Sequence, residues 1–271
     1  MSVHSGGAAW GAPPGCPADV DQLLRELLDE LTRVLAGALE AVYLHGSLVF
    51  GDFDPDVSDV DLLVVVASDV DDRQLAHLVE LHHVFAREHP AWTDRVEAVY
   101  IASTALRSFR ERESPLVVIS PGEPLHRTWT TRGWVANWHL VREHGVALYG
   151  PEPDTIIPPT RHDDFEAAIR SYLPELPPRA EASGDPRVRA YAVLTVCRAL
   201  YSCRERRQIS KTHAAHWAAK HYPEWSDAIQ QALAWRTGAG EESDAARRRA
   251  IAFVRFGVER VARAPSEGLQ P

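Results

Sequence analysis

The run Val60-Asp-Leu-Leu-Val-Val-Val constrains this chain more than any other segment. It is too short and too rich in β-branched residues for a helix, and too apolar to lie in water, so it predicts a strand buried within a sheet. The longest unbroken apolar run, Leu62 to Ala67, is far too short to cross a bilayer. The neighbouring segments fit a sheet. Val20, Leu23, Leu24, Leu27, Leu28, Leu31, Val34 and Leu35 recur at helical spacing and predict an amphipathic helix over residues 19 to 39. A short strand follows over 41 to 44. Beyond the buried run come a helix over 72 to 88, ended by His89-Pro90, and a third strand over 96 to 101. Strand, strand, helix, strand fits an α/β or α+β domain on a small mixed sheet, and with the helical region that follows the expected fold class is α+β.

Near Gly150 the pattern changes. Pro151, Pro153, Pro158 and Pro159 interrupt regular structure, and helical patterns then cover 163 to 173, 186 to 206, 212 to 221, 224 to 235 and 242 to 264. This predicts one domain over residues 18 to 150, a linker over 151 to 160, and a helical bundle domain over 160 to 264. The first 17 residues, rich in Gly, Ala and Pro, are expected to form a mobile leader.

A formal net charge of -9 on 271 residues disfavours a protein that tracks nucleic-acid phosphates, and its field favours a cationic small molecule. The start of the chain lacks a basic, apolar secretory signal, so the expected location is the cytoplasm. Cys16, Cys197 and Cys203 make no paired spacing and are expected as reduced, largely buried thiols. The thirteen histidines, His82-His83 included, show no zinc spacing.

Chemistry concentrates in Leu44-His-Gly-Ser-Leu-Val-Phe-Gly-Asp-Phe-Asp-Pro-Asp-Val-Ser-Asp-Val-Asp. Gly46-Ser47 follows a strand and precedes a turn, where glycine permits close backbone approach and N–H and hydroxyl groups can hold phosphate oxygens. Asp59 and Asp61 stand at i and i+2 at the head of the buried strand, so their carboxylates project to one side. Two such carboxylates beside an apolar run are costly without a cation between them, and magnesium, which takes one or two carboxylates plus substrate phosphates, suits the pair. Taken alone, the same pair also fits an exposed loop with no ligand.

Gly46-Ser47 followed by Ser58-Asp59-Val60-Asp61 resembles the signature of the DNA polymerase β-like nucleotidyltransferase superfamily. Three further segments are similar to the aminoglycoside 3''/9-adenylyltransferases: Arg142-Glu-His-Gly-Val-Ala-Leu-Tyr-Gly-Pro, Leu194-Thr-Val-Cys-Arg-Ala-Leu-Tyr-Ser and Ile209-Ser-Lys-Thr-His-Ala-Ala-His-Trp-Ala. The resemblance implies magnesium-dependent transfer of AMP from ATP to a hydroxyl of a streptomycin- or spectinomycin-like antibiotic by a monomeric enzyme, with release of pyrophosphate. It implies that Gly46, Ser47 and Ser58 contact the nucleotide phosphates and that Asp59 and Asp61 hold magnesium. Glu97, in Val96-Glu-Ala-Val-Tyr-Ile, aligns with the catalytic base, Lys211 with a lysine on the triphosphate, and Trp129 with a tryptophan that packs on the antibiotic. The family's antibiotic-contacting acids are not matched at Val188-Arg-Ala-Tyr-Ala; Asp185 and Glu181 lie nearby. That departure leaves room for another hydroxylated metabolite or natural product as acceptor, or for a non-catalytic binding module of the same fold.

Overall fold

The computed structural model describes Pro13 and residues 15 to 263. Most of the expected leader lies outside the described residues. Two compact units divide the chain. Among the described residues, the first comprises those up to 53, 58 to 131 and 137 to 159, and the second comprises 54 to 57, 132 to 136 and 160 to 263.

In order, the elements are α1 (Ala18–Leu35), β1 (Leu39–His45), β2 (Val60–Val66), α2 (Asp72–Glu88), β3 (Val96–Ala102), α3 (Ser103–Arg107), β4 (Pro115–Ser120), β5 (Glu123–Trp129), α4 (Trp134–His144), β6 (Val146–Tyr149) and α5 (Pro153–Ile156). After them come α6 (His162–Tyr172), α7 (Leu176–Ala182), α8 (Pro186–Glu205), α9 (Lys211–His221), α10 (Ser226–Arg236) and α11 (Asp244–Arg263). Six strands form one mixed sheet in the order β5-β4-β3-β2-β1-β6. Only β2 and β3 run parallel, with α2 as their crossover; the other neighbours are antiparallel.

Alternation along the strands sorts the sheet into two faces. Val42 and Leu44 of β1, Leu62, Val64 and Val66 of β2, and Ala98 and Tyr100 of β3 join one hydrophobic core with α1 and α2. Six residues of α1 (Val20, Leu23, Leu24, Leu27, Leu31 and Leu35) and Leu78, Leu81 and Phe85 of α2 supply the helical side of that core. The opposite face carries Tyr43, Leu63, Val65, Val99 and Ile101, also buried. A mostly polar row closes one end of this second face, as described below.

Local chemistry explains the boundaries. Asp71 and Gln74 form a reciprocal capping box at the start of α2, with Gln74 N donating to Asp71 Oδ1 at 2.7 Å and Asp71 N to Gln74 Oε1 at 3.0 Å. The first helix stops at Leu35, earlier than its apolar spacing suggests, because Ala36 takes a positive φ of 42° and a 3-10 turn over Ala36–Ala38 feeds β1. The proline-rich linker holds one helical turn, α5. Pro153 sits at its start, where a missing N–H is harmless. Likewise α10 begins only at Ser226, after a 3-10 turn over Pro223–Trp225. Strands β4, β5 and β6 and helices α3, α4 and α7 have no counterpart in the sequence reading.

In the second unit α8 is the central helix, with thirteen of its residues buried and α7, α9, α10 and α11 packed around it. Arg189 of α8 is fully buried, paired with Glu242 and donating to the carbonyls of Ala180 and Ser183. Cys197 and Cys203 are buried and Cys16 half-buried, all as free thiols. Among the described residues no helix is long and apolar enough to cross a membrane.

One buried pair ties the fold to pH. His82 of α2 meets Tyr100 Oη at 2.7 Å, and burial lowers the His82 pKa from 6.5 to about 4. The unfolded chain protonates this ring once the pH drops below 6.5, the folded chain only near 4. The stability contributed by the neutral ring is therefore present above pH 6.5 and is lost progressively as pH falls toward 4, by roughly 3 kcal/mol. His82→Gln, which does not titrate and keeps a polar partner for Tyr100, is expected to flatten that part of the pH–Tm curve. A slope identical to wild type between pH 6.5 and 4 would show that His82 is not its source.

Candidate active site

The register of the central strands builds the site. His45 of β1 pairs with Asp61 of β2, and Asp61 pairs with Glu97 of β3. Laterally paired residues share a face, so His45, Asp61 and Glu97 form one row across three strands, at the carboxyl end of β1 and the amino ends of β2 and β3. The next rows on that face, Tyr43–Leu63–Val99 and Ala41–Val65–Ile101, are apolar and buried. A polar row thus stands at the edge of an apolar floor, with Asp61 and Glu97 half-buried.

Gly46 shows why the motif needs glycine. Its φ is +72°, in the left-handed region, and a Cβ built there would lie 1.9 Å from Asp61 Oδ2. The Asp61 carboxylate occupies the space that any other side chain would take. Ser47 begins a tight turn in which Phe50 N donates to Gly46 O at 3.3 Å and Asp52 N to Ser47 O at 3.0 Å.

Ser58 is buried, and its carbonyl is gripped by Arg95, whose Nε and Nη2 donate to it at 3.2 and 2.5 Å. Val60 N donates to Arg95 O at 2.9 Å, and the Arg95 guanidinium lies 4.5 Å from the Trp92 ring centroid, with Phe53 stacked on that ring. The backbone on both sides of Asp59 is therefore anchored to the head of β3. Neither Arg95 nor His45 was singled out from sequence. Their roles depend on strand register, and an arginine two residues before a glutamate carries no signal of its own.

Sequence reasoning also named Trp129, Lys211 and Asp185. Trp129 ends β5, the edge strand, and is 59% exposed. In the second unit, Lys211 opens α9, and its Nζ lies 4.5 Å from the centroid of the Tyr191 ring. Asp185 is the N-cap of α8: it accepts from Arg187 N at 2.8 Å and from Arg187 Nε at 3.1 and 3.2 Å, and these bonds lower its pKa. Glu181 pairs with Arg255 at 2.7 Å.

Among the described residues no group of three or more His, Cys, Asp and Glu side chains is placed to hold a metal ion. Magnesium asks for less, since one or two carboxylates plus nucleotide oxygens complete its shell. Asp59 and Asp61 supply hard oxygen donors at the head of one strand, a donor set of the kind magnesium takes.

The Gly-Ser turn packed against an aspartate at the head of a central strand brings together the two halves of the nucleotidyltransferase-like motif. Residues 22–115 match the nucleotidyltransferase domain model, and residues 155–260 match the aminoglycoside adenylyltransferase C-terminal domain. The chain is an ATP-dependent nucleotidyltransferase, and within that class it is similar to the aminoglycoside 3''/9-adenylyltransferases. Curated relatives include aminoglycoside (3'') (9) adenylyltransferases of Shigella flexneri and Escherichia coli, each 27% identical over 226 residues, covering 76% of this chain and 80% of the relative. A solved spectinomycin adenyltransferase AAD(9) from Enterococcus faecialis, crystallised with ATP and spectinomycin, shares the fold with a TM-score of 0.75 at 17% identity, over 90% of this chain and 99% of that one.

Proposed function

We propose that this enzyme transfers AMP from ATP to a hydroxyl group of an aminoglycoside-type antibiotic and releases pyrophosphate. The observation that carries the reading is the row His45–Asp61–Glu97, with the Gly-Ser turn packed against its middle member. The names of the matching relatives supply the acceptor class. A net charge of -9 supports a cationic acceptor.

Gly46, Ser47 and Ser58 are assigned to the triphosphate, together with Lys211. Asp59 and Asp61 would hold magnesium, which when bound supplies positive charge to the phosphates and the leaving group. Glu97 accepts the proton of the acceptor hydroxyl. The freed oxygen forms a bond to the α-phosphorus as the bond to pyrophosphate breaks. Arg95 keeps Ser58 and Asp59 in register with β3, so the carboxylates need little reorganisation during the step. Trp129, exposed on the edge strand, offers a flat apolar surface to an acceptor ring.

A specific observation favours a second acceptor reading. Asp185 is committed to Arg187 and the α8 amino end, and Glu181 to Arg255, so neither acid is idle at the helix start. The same chemistry on another hydroxylated metabolite or natural product fits this arrangement. Incubation with labelled ATP, magnesium and a panel led by streptomycin and spectinomycin tests both. Adenylated antibiotic with pyrophosphate is the expected result. Pyrophosphate released only with a different alcohol would establish the second acceptor reading, and none with any acceptor would overturn the assigned transfer.

A further inference from the structure

The amino end of α9 carries a charge of the wrong sign for its own stability. Lys211 is the first residue of this 11-residue helix and the first turn contains no acid, so a cation sits at the positive end of the helix dipole. The helix end itself is capped in the ordinary way, Ser210 Oγ accepting from His213 N at 3.1 Å. The lysine therefore adds nothing to the cap. It does meet an aromatic face: its Nζ lies 4.5 Å from the centroid of the Tyr191 ring, and the Arg179 guanidinium lies 5.8 Å from the same ring.

Tyr191 is itself out of keeping with its helix. Ala190 and Ala192 on either side are buried, yet the Tyr191 ring is 45% exposed, one of three large apolar side chains left so open among the described residues. An exposed ring is a poor source of core stability but a good platform for a cation, because the π face is negative and water leaves it weakly solvated.

We propose that Tyr191 is a positioning residue that holds Lys211 extended and ready for the phosphates of ATP. This rests on the assignment of Lys211 to the triphosphate. A lysine on its four-carbon stem loses rotamer freedom when it grips a phosphate, and confinement beforehand removes part of that loss. The ring face, not the hydroxyl, does this, so phenylalanine serves equally.

The test measures binding of magnesium and the non-transferable analogue α,β-methylene-ATP to the full-length protein by calorimetry. Lys211→Met is expected to weaken binding. Tyr191→Leu is expected to raise Kd about two- to fivefold, the range of exposed cation–π contacts. Tyr191→Phe should bind as wild type, and Tyr191→Met, which keeps bulk without a ring face, should behave as Tyr191→Leu. In the Lys211→Met background Tyr191→Leu should add nothing, since the partner it positions is gone. An unchanged Kd in Lys211→Met would overturn the assignment of Lys211 itself. A normal Kd in Tyr191→Leu, or an equal loss with and without Lys211, would overturn the positioning role while leaving that assignment intact.

Discussion

Glu97→Gln is expected to lower turnover with the true acceptor by about 10²- to 10⁴-fold, the usual contribution of a positioned general base. Glutamine keeps the size and the place in β3 beside Asp61 but cannot take a proton. ATP affinity should change little, because the role proposed for the residue is on the acceptor hydroxyl and not on the triphosphate. Rapid-quench measurement of a single turnover checks the chemical step, free of product release. Wild-type turnover in this variant would remove Glu97 from the mechanism.

Gly46→Ala is expected to be nearly as damaging, by a different route. A methyl group there must displace the Asp61 carboxylate, whose Oδ2 lies 1.9 Å from the position the Cβ would take. Misplacing a reacting group by about 1 Å commonly costs about 10²-fold in rate. The positive φ adds strain of about 1 to 2 kcal/mol for a residue with a side chain. Activity should therefore fall by about 10²-fold or more while the Tm drops only a few degrees. A fully active alanine variant would show that the Asp61 carboxylate is free to sit elsewhere during the reaction.

Much of the sheet's centre is legible in the sequence because its signals are local. The β2 run and the 72 to 88 helix, ended by His89-Pro90, lie at the residues where both elements occur, and the turn after β1 is announced by Gly46-Ser47. The β4–β5 hairpin is less audible. β5 is an edge strand of largely exposed, mixed residues with no apolar alternation, so only its partner gives it strand character. Helix α4 spans residues 134 to 144 with little amphipathic contrast, and its tryptophans and histidines fit several conformations.

At the site, residue types were readable and relationships were not. The pairing of Asp61 with both His45 and Glu97 is a matter of register, which no short motif encodes. The Arg95 grip on Ser58 joins residues 37 apart in sequence. Asp185 shows the reverse error of emphasis. An aspartate directly before Pro186 is a helix-start signal, and the structure uses it as one.

The grip of β2 and β3 on the acidic row has a consequence for how this enzyme fails. Catalytic side chains usually ride on segments that open at little energetic cost, so function fades before the fold does. Here Glu97 and Asp61, the proposed base and the proposed magnesium ligand, are carried by the two innermost strands of the sheet, whose amides should exchange with solvent only through global opening. Loss of activity on heating should accordingly coincide with the main calorimetric transition, with no earlier, silent decline.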